Sequence, residues 1–441
     1  MPQPLRAGTA LTDISPEQGV ELAGYPHHPR PNQGVHDPLH AGCITLDDGK
    51  TRLAIVCMDM AVYPKPEVRA VRREAARLTG IPPENIMLTC SHTHSGPWAS
   101  GMSFLNTLKM GWKVDEAYLA GLRQKLVNLI GEAWEKRFEA RIGVDKGFCG
   151  REQGVGGNRR NPNELADPEV WTIGVQDMSG ALRACLVKYS LHPTFLHSDN
   201  FLVSADYPGY LREYLAEKRP GTVVLFAQGC AGNQSPRYFR SGKTFEEARR
   251  VGRAIGAEAD LVLGSLGYNA QARLLCRSTE LDVELRELPA RAAAQVAVER
   301  ARKVWEEQKA TSNVERDIWN AELRLLGAED TLAFVELEER DGRESLVGGE
   351  FPVEVQVIGI DDTRIVGLQG EIFVEFGITI QYRAPFDKCF VIELANGCLP
   401  GYACTTRAYE QGGYETGASL LTGRSGEQLV EASVDLLKLT K

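Results

Sequence analysis

The chain has 441 residues, of which 43% are hydrophobic and 25% charged, a composition typical of a water-soluble protein with enough apolar mass for a sizeable core. Its formal net charge of −9 argues against a nucleic-acid partner, which would favour a basic face. No run approaches the roughly 20 apolar residues of a membrane span, and the N-terminus lacks the apolar segment of a signal peptide. We therefore expect a cytoplasmic protein with no membrane span.

The cysteines and histidines restrict the kind of metal site that the chain can form. The ten cysteines are scattered without a Cys-x-x-Cys pair, which predicts reduced, buried thiols and argues against a thiolate zinc site. All eight histidines precede residue 200. A metal site that uses them must therefore recruit other ligand types from the second half of the chain.

The first half alternates predicted strands and helices. After about forty loop-rich residues, strands at 43–46 and 53–58 form a hairpin around an Asp-Gly turn. A helix over 66–78, a buried strand over 86–90 and a helix over 114–136 follow. This rhythm favours an α/β sheet.

The strand over 86–90 leads into His92-Thr93-His94 and is stopped by Gly96-Pro97. Extended residues two apart point to the same face, so the two imidazoles are predicted to lie side by side at a strand end. Open α/β sheets bind ligands and metals at such ends. The alternative is a polar strand end whose histidines satisfy local hydrogen bonds, because the spacing alone does not demand a metal.

Two further strand ends carry candidate site residues. Strands at 170–175 and 184–191 lead into His192, and a buried strand at 223–226 leads into a glycine-rich segment that ends at Ser235. Glycines after a strand allow a ligand to approach the backbone closely. The alternative for Ser235 is an ordinary turn serine before a proline. The loop at 150–163 either brings guanidinium groups over a pocket or is a solvated surface loop.

The residue pattern changes after a predicted helix over 244–263. Residues 268–348 combine polar strand-like pieces with a charged helix at 290–310 and group no catalytic residue types, which predicts a peripheral subdomain or insertion. The core resumes with strands near 353–360 and 364–368. Glu371 then stands at a strand-to-helix corner, where it could also be a carboxylate favoured by the helix dipole.

Four motifs in this order resemble those of the neutral/alkaline (non-lysosomal) ceramidase family, whose members are zinc amidases. The motifs are Ser91-His92-Thr93-His94-Ser95-Gly96-Pro97, the stretch from His192 to Tyr210, Gly370-Glu371, and Gly401-Tyr402 followed by Tyr409 and Tyr414. The resemblance extends from Asp13 to about Tyr414.

The resemblance implies one catalytic domain over residues 1–441, with 268–348 as a subdomain or insertion within it. The expected fold class is α/β, with a mixed sheet core flanked by helices, a peripheral α+β subdomain and no C-terminal immunoglobulin-like domain. One Zn²⁺ per chain would be held by His92, His192, Glu371 and Tyr402.

The catalytic residues that the resemblance implies are Ser235, His94, Arg151 and Tyr414, with Arg160 competing for the role of Arg151 because the loop lengths differ. The sequence departs from the family at the serine: Gly232-Asn233-Gln234-Ser235-Pro236 stands where the family has Gly-Asp-Val-Ser-Pro. The serine is kept and its acidic neighbour is not.

We therefore expect a zinc-dependent hydrolase that cleaves a linear amide bond by zinc-activated water. The substrate would be a ceramide-like lipid or a smaller N-acylated molecule, with Tyr414, His94 or Arg151 stabilising the oxyanion. The same site could cleave an ester or lactone. A non-catalytic metal-binding protein that keeps the fold is the alternative from another class, and a homo-oligomer is left open.

Overall fold

The computed structural model describes residues 4–99 and 114–441, which form sixteen strands and ten α-helices. The strands are β1 (Arg6–Asp13), β2 (His40–Asp47), β3 (Arg52–Met58), β4 (Ile86–Cys90), β5 (Phe138–Phe148), β6 (Gly157–Asn158), β7 (Glu169–Asp177), β8 (Leu182–Tyr189), β9 (Val223–Gln228), β10 (Gln234–Ser235), β11 (Leu274–Leu281), β12 (Val353–Ile360), β13 (Thr363–Leu368), β14 (Glu371–Ile372), β15 (Lys388–Ile392) and β16 (Tyr402–Ala403). The helices are α1 (Lys65–Thr79), α2 (Glu116–Glu135), α3 (Tyr207–Lys218), α4 (Phe245–Ser265), α5 (Arg291–Thr311), α6 (Glu315–Asp341), α7 (Val374–Arg383), α8 (Thr406–Gln411), α9 (Tyr414–Gly417) and α10 (Gly423–Lys438).

Two mixed sheets form the centre of the structure. The larger has eight strands in the order β4-β3-β2-β1-β5-β7-β8-β9, and the smaller has four in the order β11-β12-β13-β15. The β3–β4, β8–β9 and β13–β15 pairs are parallel and the other neighbours are antiparallel. The predicted mixed α/β architecture is confirmed, and the described residues contain no immunoglobulin-like domain.

The two sheets pack face to face, and helices cover their outer faces. Successive strand residues point to opposite faces of a sheet, and β3 shows the result. Ile55 packs with Phe390 of the smaller sheet, whereas its neighbour Val56 packs with Leu126 of α2. Helices α3 and α4 cover the β7–β9 end of the larger sheet, and α7 and α10 cover the smaller sheet. No described helix is both long and apolar enough to cross a bilayer.

Residues 393–396, directly after β15, join the two edge strands of the larger sheet. The Glu393 N–H donates to the Gln228 carbonyl in β9 at 2.9 Å, and the Asn396 N–H donates to the Leu88 carbonyl in β4 at 2.8 Å. The Asn396 side-chain oxygen also accepts from the Leu88 N–H at 3.0 Å. The ends of β4 and β9, although farthest apart in strand order, are therefore held on one short segment.

The segment predicted as a peripheral subdomain, 268–348, contributes to both the core and the surface. It supplies β11, which pairs with β12, and it forms the helices α5 and α6, which pack against each other through Val298 and Leu325. Helix α5 matches the predicted charged helix. Helix α6 was not predicted, and it lies against the loops that carry the candidate site.

Replacement of Asn396 by alanine should weaken the junction between the sheets. The change leaves the buried Leu88 N–H without its side-chain acceptor and places an alanine at a φ of 63°, so we expect a loss of about 2–4 kcal/mol in the free energy of unfolding. Chemical denaturation measures the loss. The matched control is Asn85→Ala, because Asn85 donates to the Arg52 carbonyl at an exposed position. Equal effects of the two substitutions would contradict the role given to Asn396.

Candidate metal centre

His92 lies just beyond β4 and is held by backbone on two sides. Its N–H donates to the Met60 carbonyl at 2.9 Å, and its Nδ1–H donates to the Ala61 carbonyl at 2.7 Å. The backbone here is not extended as predicted, because β4 ends at Cys90 and His92 has a φ of 67°. His92 and His94 are nevertheless neighbours, with their Nε2 atoms 3.3 Å apart.

His192 reaches the same place from the other edge of the larger sheet. It follows β8, its N–H donates to the Gln234 carbonyl at 3.0 Å, and its Nδ1–H donates to the Ala231 carbonyl at 2.6 Å. The residue is fully buried. The Nδ1–H bonds of His92 and His192 fix the tautomer in which each Nε2 carries a lone pair.

Glu371 completes the cluster from β14. Its Oε2 lies 3.2 Å from Nε2 of His92 and 3.1 Å from Nε2 of His192. His92, His94 and His192 each contribute one ring nitrogen, and these three nitrogens lie within 4.8 Å of one another. Three imidazoles and a carboxylate are a donor set that Zn²⁺ prefers, so the residues fit that ion. His94, predicted as a catalytic residue, lies among the ligand candidates.

The protonation states suit a cation. Burial, with the charges of neighbouring groups, lowers the pKa of His192 to about 4 and holds the pKa of His94 well below its ordinary value. Both imidazoles are therefore neutral at pH 7, the form that binds metals. Burial raises the pKa of Glu371, but its interactions with His92 and His192 outweigh that effect and leave the pKa well below its ordinary value.

Tyr402 lies beside Glu371 because β14 and β16 pair in parallel with these two residues opposite each other. Its ring is 5.8 Å from that of Tyr414 and 5.4 Å from the guanidinium carbon of Arg159. Burial and the charge of Glu371 raise the pKa of Tyr402 well above its ordinary value. A dication at the cluster would act in the opposite direction, so the predicted tyrosinate ligand depends on the metal.

Ser235 lies in β10, which pairs with β6, and its Oγ accepts from the Arg237 N–H at 3.3 Å. Asn233, which stands where the family has aspartate, is used structurally. Its side-chain oxygen accepts from the Val374 N–H at 2.9 Å, and its Nδ2 donates to Glu375 at 2.8 Å. The substituted residue thus anchors the serine loop to α7.

The structure places the predicted arginine, Arg151, away from the pocket that contains Ser235. Arg151 is exposed and lines a separate cavity, and Arg160 bonds to Glu415 at 2.8 Å without lining the pocket. Arg159 lines the pocket that contains Ser235, and its Nε donates to Glu415 at 2.8 Å. The loop at 150–163 contains three arginines, and the sequence alone does not indicate which of them faces the pocket.

Two adjoining pockets open on the cluster, and His94, Tyr402 and Tyr414 line both. We name the pocket that contains Ser235 the serine pocket and the pocket that contains Glu371 the glutamate pocket. The structure thus brings together all the predicted site residues except Arg151.

Helix α6 forms one side of both pockets, with Trp319 on the serine pocket and Phe334 on the glutamate pocket. It is bound to the loop after β1 by His27, whose Nε2 lies 2.7 Å from Glu329 and whose Nδ1 lies 3.3 Å from Glu322. Burial lowers the pKa of His27, but the hydrogen bonds to these two glutamates raise it overall to about 9. His27 is therefore charged at pH 7.

Comparisons with known proteins give one consistent result. A family profile described as "Neutral/alkaline non-lysosomal ceramidase, N-terminal" matches residues 6–245. The neutral ceramidase of Pseudomonas aeruginosa is 26% identical over 257 residues, which cover 53% of this chain and 37% of that protein. The neutral ceramidase of Drosophila melanogaster is 25% identical over 252 residues, covering 52% of this chain and 35% of that protein. The match therefore spans little more than a third of these relatives.

Among solved structures, the crystal structure of neutral ceramidase from Pseudomonas aeruginosa superposes with a TM-score of 0.73 at 20% identity. The superposition covers 99% of this chain and 75% of that one. Nearly the whole chain, including the part beyond residue 245, therefore has the fold of the corresponding three quarters of that protein.

The cluster predicts the metal content of the purified protein. We expect about one zinc per chain, and His192→Ala should lose most of it because that imidazole lies against both His92 and Glu371. Elemental analysis and zinc titration measure this. The matched control is His36→Ala, since His36 bonds to Tyr210 and stacks on Phe245 instead. A folded wild-type protein that stays zinc-free after reconstitution would rule out the site.

Proposed function

The chain belongs to the neutral/alkaline non-lysosomal ceramidase family, and we propose that it is a zinc-dependent hydrolase that cleaves the amide bond of an N-acyl substrate. The observation that carries this proposal is the meeting of three imidazoles and Glu371 at the border of two pockets. An acyl group and an amine can then occupy opposite sides of one catalytic centre.

His92, His192, Glu371 and Tyr402 are the proposed zinc ligands, as the family resemblance implies. When bound, zinc would polarise the substrate carbonyl and lower the pKa of a water molecule at the site. The backbone carbonyls of Ala61 and Ala231 keep the two imidazoles in the binding tautomer.

Hydrolysis places negative charge on the carbonyl oxygen, and the chain has donors for it. Arg159 is buried in the serine pocket, where its side chain interacts with Tyr402 and its Nη2 forms no hydrogen bond of ordinary geometry with the described residues. Burial raises the pKa of Tyr414, so its hydroxyl keeps its proton and can donate. Preorganised donors of this kind lower the barrier because they need no reorganisation during the reaction. We therefore assign to Arg159 the role first given to Arg151.

Ser235 lies with these donors in the serine pocket, and among the described residues no acidic side chain is hydrogen-bonded to it. Asn233, at the position of the family's aspartate, is bound to α7. A serine without a base is a weak nucleophile. We assign it an orienting or proton-relay role, in which its hydroxyl binds the attacking water or the departing nitrogen.

Cleavage of an N-acyl amide tests the function directly. Zinc-loaded protein should release fatty acid and amine from a fluorogenic ceramide analogue and from simple N-dodecanoyl amides, and a chelator should abolish the release. Glu371→Gln removes the carboxylate and should lower kcat/KM by about 10²-fold or more. Glu67→Gln, on the surface pair with Arg123, is the control. A zinc-loaded protein that cleaves no amide or ester would favour the non-catalytic alternative, and cleavage of esters alone would exclude an amidase.

Ser235→Ala separates two mechanisms. For a relay or orienting role we expect kcat to fall by about 10²–10⁴-fold with no acyl-enzyme in the wild type. Single-turnover kinetics with intact-protein mass spectrometry measures both quantities. Ser198→Ala, a serine that bonds to His197, is the control. An acylated Ser235 would make it the nucleophile, and unchanged activity would remove it from the site.

A further inference from the structure

The two pockets differ in their chemistry. Away from the metal centre, the glutamate pocket is lined mainly by apolar side chains. These are Val62, Trp98, Phe334, Leu394 and Leu399. Such a lining fits a hydrocarbon chain, because burial of apolar surface stabilises the complex by roughly 25 cal/mol per Å². The acyl half of the proposed substrate belongs here.

The serine pocket combines an apolar wall, formed by Trp319, Leu323 and Leu326, with positive charge. Arg237 and Arg240 face it beside Arg159, which is paired with Glu415, and among the described residues Glu322 is the only acidic one in the lining. That carboxylate is occupied by His27 at 3.3 Å and by His28 at 2.9 Å.

Arg237 lacks the partner that a half-buried guanidinium normally has. Among the described residues its side chain bonds only to the Arg159 carbonyl at 3.5 Å and to the Asn320 side chain at 3.4 Å, both at the outer limit of hydrogen bonding. Burial lowers the pKa of Arg237 to about 10, which reflects the free-energy cost of its position.

Arg240, on the same turn, donates to the Thr194 carbonyl at 2.5 Å. Neither Arg237 nor Arg240 forms an ion pair with a carboxylate in the described part of the chain. The remaining residues, 1–3 and 100–113, contain no aspartate or glutamate. Each guanidinium has five N–H donors, so most donors of this pair are left for a ligand.

The positions of the arginines relate this charge to the proposed chemistry. Arg237 is two residues from Ser235 and bonds to its Oγ through the backbone N–H at 3.3 Å. The positive charge therefore lies in the serine pocket beside Ser235, so the amine half of the substrate would extend toward these arginines when the acyl half occupies the glutamate pocket.

From this arrangement we propose that the substrate is an N-acyl compound whose amine half carries an anionic oxygen group, a carboxylate or a phosphate, bound by Arg237 and Arg240. The inference rests on the proposed amide hydrolysis and specifies its substrate class. Guanidinium groups bind such oxygens through paired, charge-assisted hydrogen bonds. An amine half with only hydroxyl groups would leave both cations unpaired.

Three substrates with the same acyl chain test the inference: N-dodecanoyl-ethanolamine, N-dodecanoyl-β-alanine and N-dodecanoyl-phosphoethanolamine. The zinc-loaded wild type should cleave at least one anionic amide with a kcat/KM about 10–100-fold above that of the neutral one. Of the two anionic amides, the one with the larger kcat/KM identifies the bound group as carboxylate or phosphate. The advantage should shrink as ionic strength rises.

Arg237→Gln should remove most of that advantage through KM, so that the ratio of kcat/KM between the anionic and the neutral amides falls toward one. Arg237→Lys should keep part of it, and Arg253→Gln, on the surface pair with Glu217, is the control. If Arg237→Gln does not fold, Arg240→Gln and the ionic-strength series provide the same comparison.

Each result has a defined meaning. The inference is overturned if the wild type cleaves the neutral amide as well as the anionic ones, or if Arg237→Gln slows all three equally. In both cases amide hydrolysis itself stands. Cleavage of none of the three, nor of the ceramide analogue, would overturn the proposed function and the inference with it.

Discussion

The structure depends on the hydrogen bonds that residues 393–396 make with three separate parts of the chain. Besides its bonds to β4 and β9, this segment holds β14, because the Leu394 N–H donates to the Gly370 carbonyl at 3.1 Å. The Glu393 carboxylate also accepts from the Ile372 N–H at 2.6 Å. His92 follows β4, His192 follows β8 beside β9, and Glu371 begins β14. One short segment of the smaller sheet therefore sets the distances within a cluster whose members come from distant parts of the sequence.

The charge of the cluster follows from its burial. Desolvation favours the neutral form of His192, whereas the interactions of Glu371 with His92 and His192 hold the pKa of that carboxyl well below its ordinary value. Behind it, burial raises the pKa of Glu393 well above its ordinary value, so a second negative charge is disfavoured there. The cluster thus carries one carboxylate charge and several nitrogen lone pairs, which is the electrostatic description of a cation site.

Much of the fold could be predicted from the sequence because the local residue patterns agree with the final packing. The hairpin of β2 and β3 follows from two apolar runs on either side of Asp48-Gly49, and Glu371 stands at the predicted strand-to-helix corner. Tyr402 was identified only through the order of the motifs, whereas Ser235 was also indicated by the glycine-rich segment after a buried strand. Their assigned roles stay predictions.

Other features had no local signal. Helix α6 buries Glu322 and Glu329 against His27, and sequence analysis treats such acidic residues as a solvated face. Arg159 and Arg151 lie in the same loop, and only the folded structure shows that Arg159 faces the serine pocket and Arg151 does not. The left-handed backbone at His92 depends on hydrogen bonds to the segment after β3, which is distant in sequence.

The metal-ligand candidates and the pocket walls contributed by α6 come from different parts of the fold. The ligand candidates lie on strand ends tied to both sheets, whereas the 27 residues of α6 belong to a connection between β11 and β12. Such connections tolerate changes of length and sequence far better than sheet cores do. Evolution could therefore exchange the walls contributed by Trp319 and Phe334 while the metal centre stays intact. Substitutions confined to α6 would therefore change the pocket walls and leave the metal-ligand candidates in place.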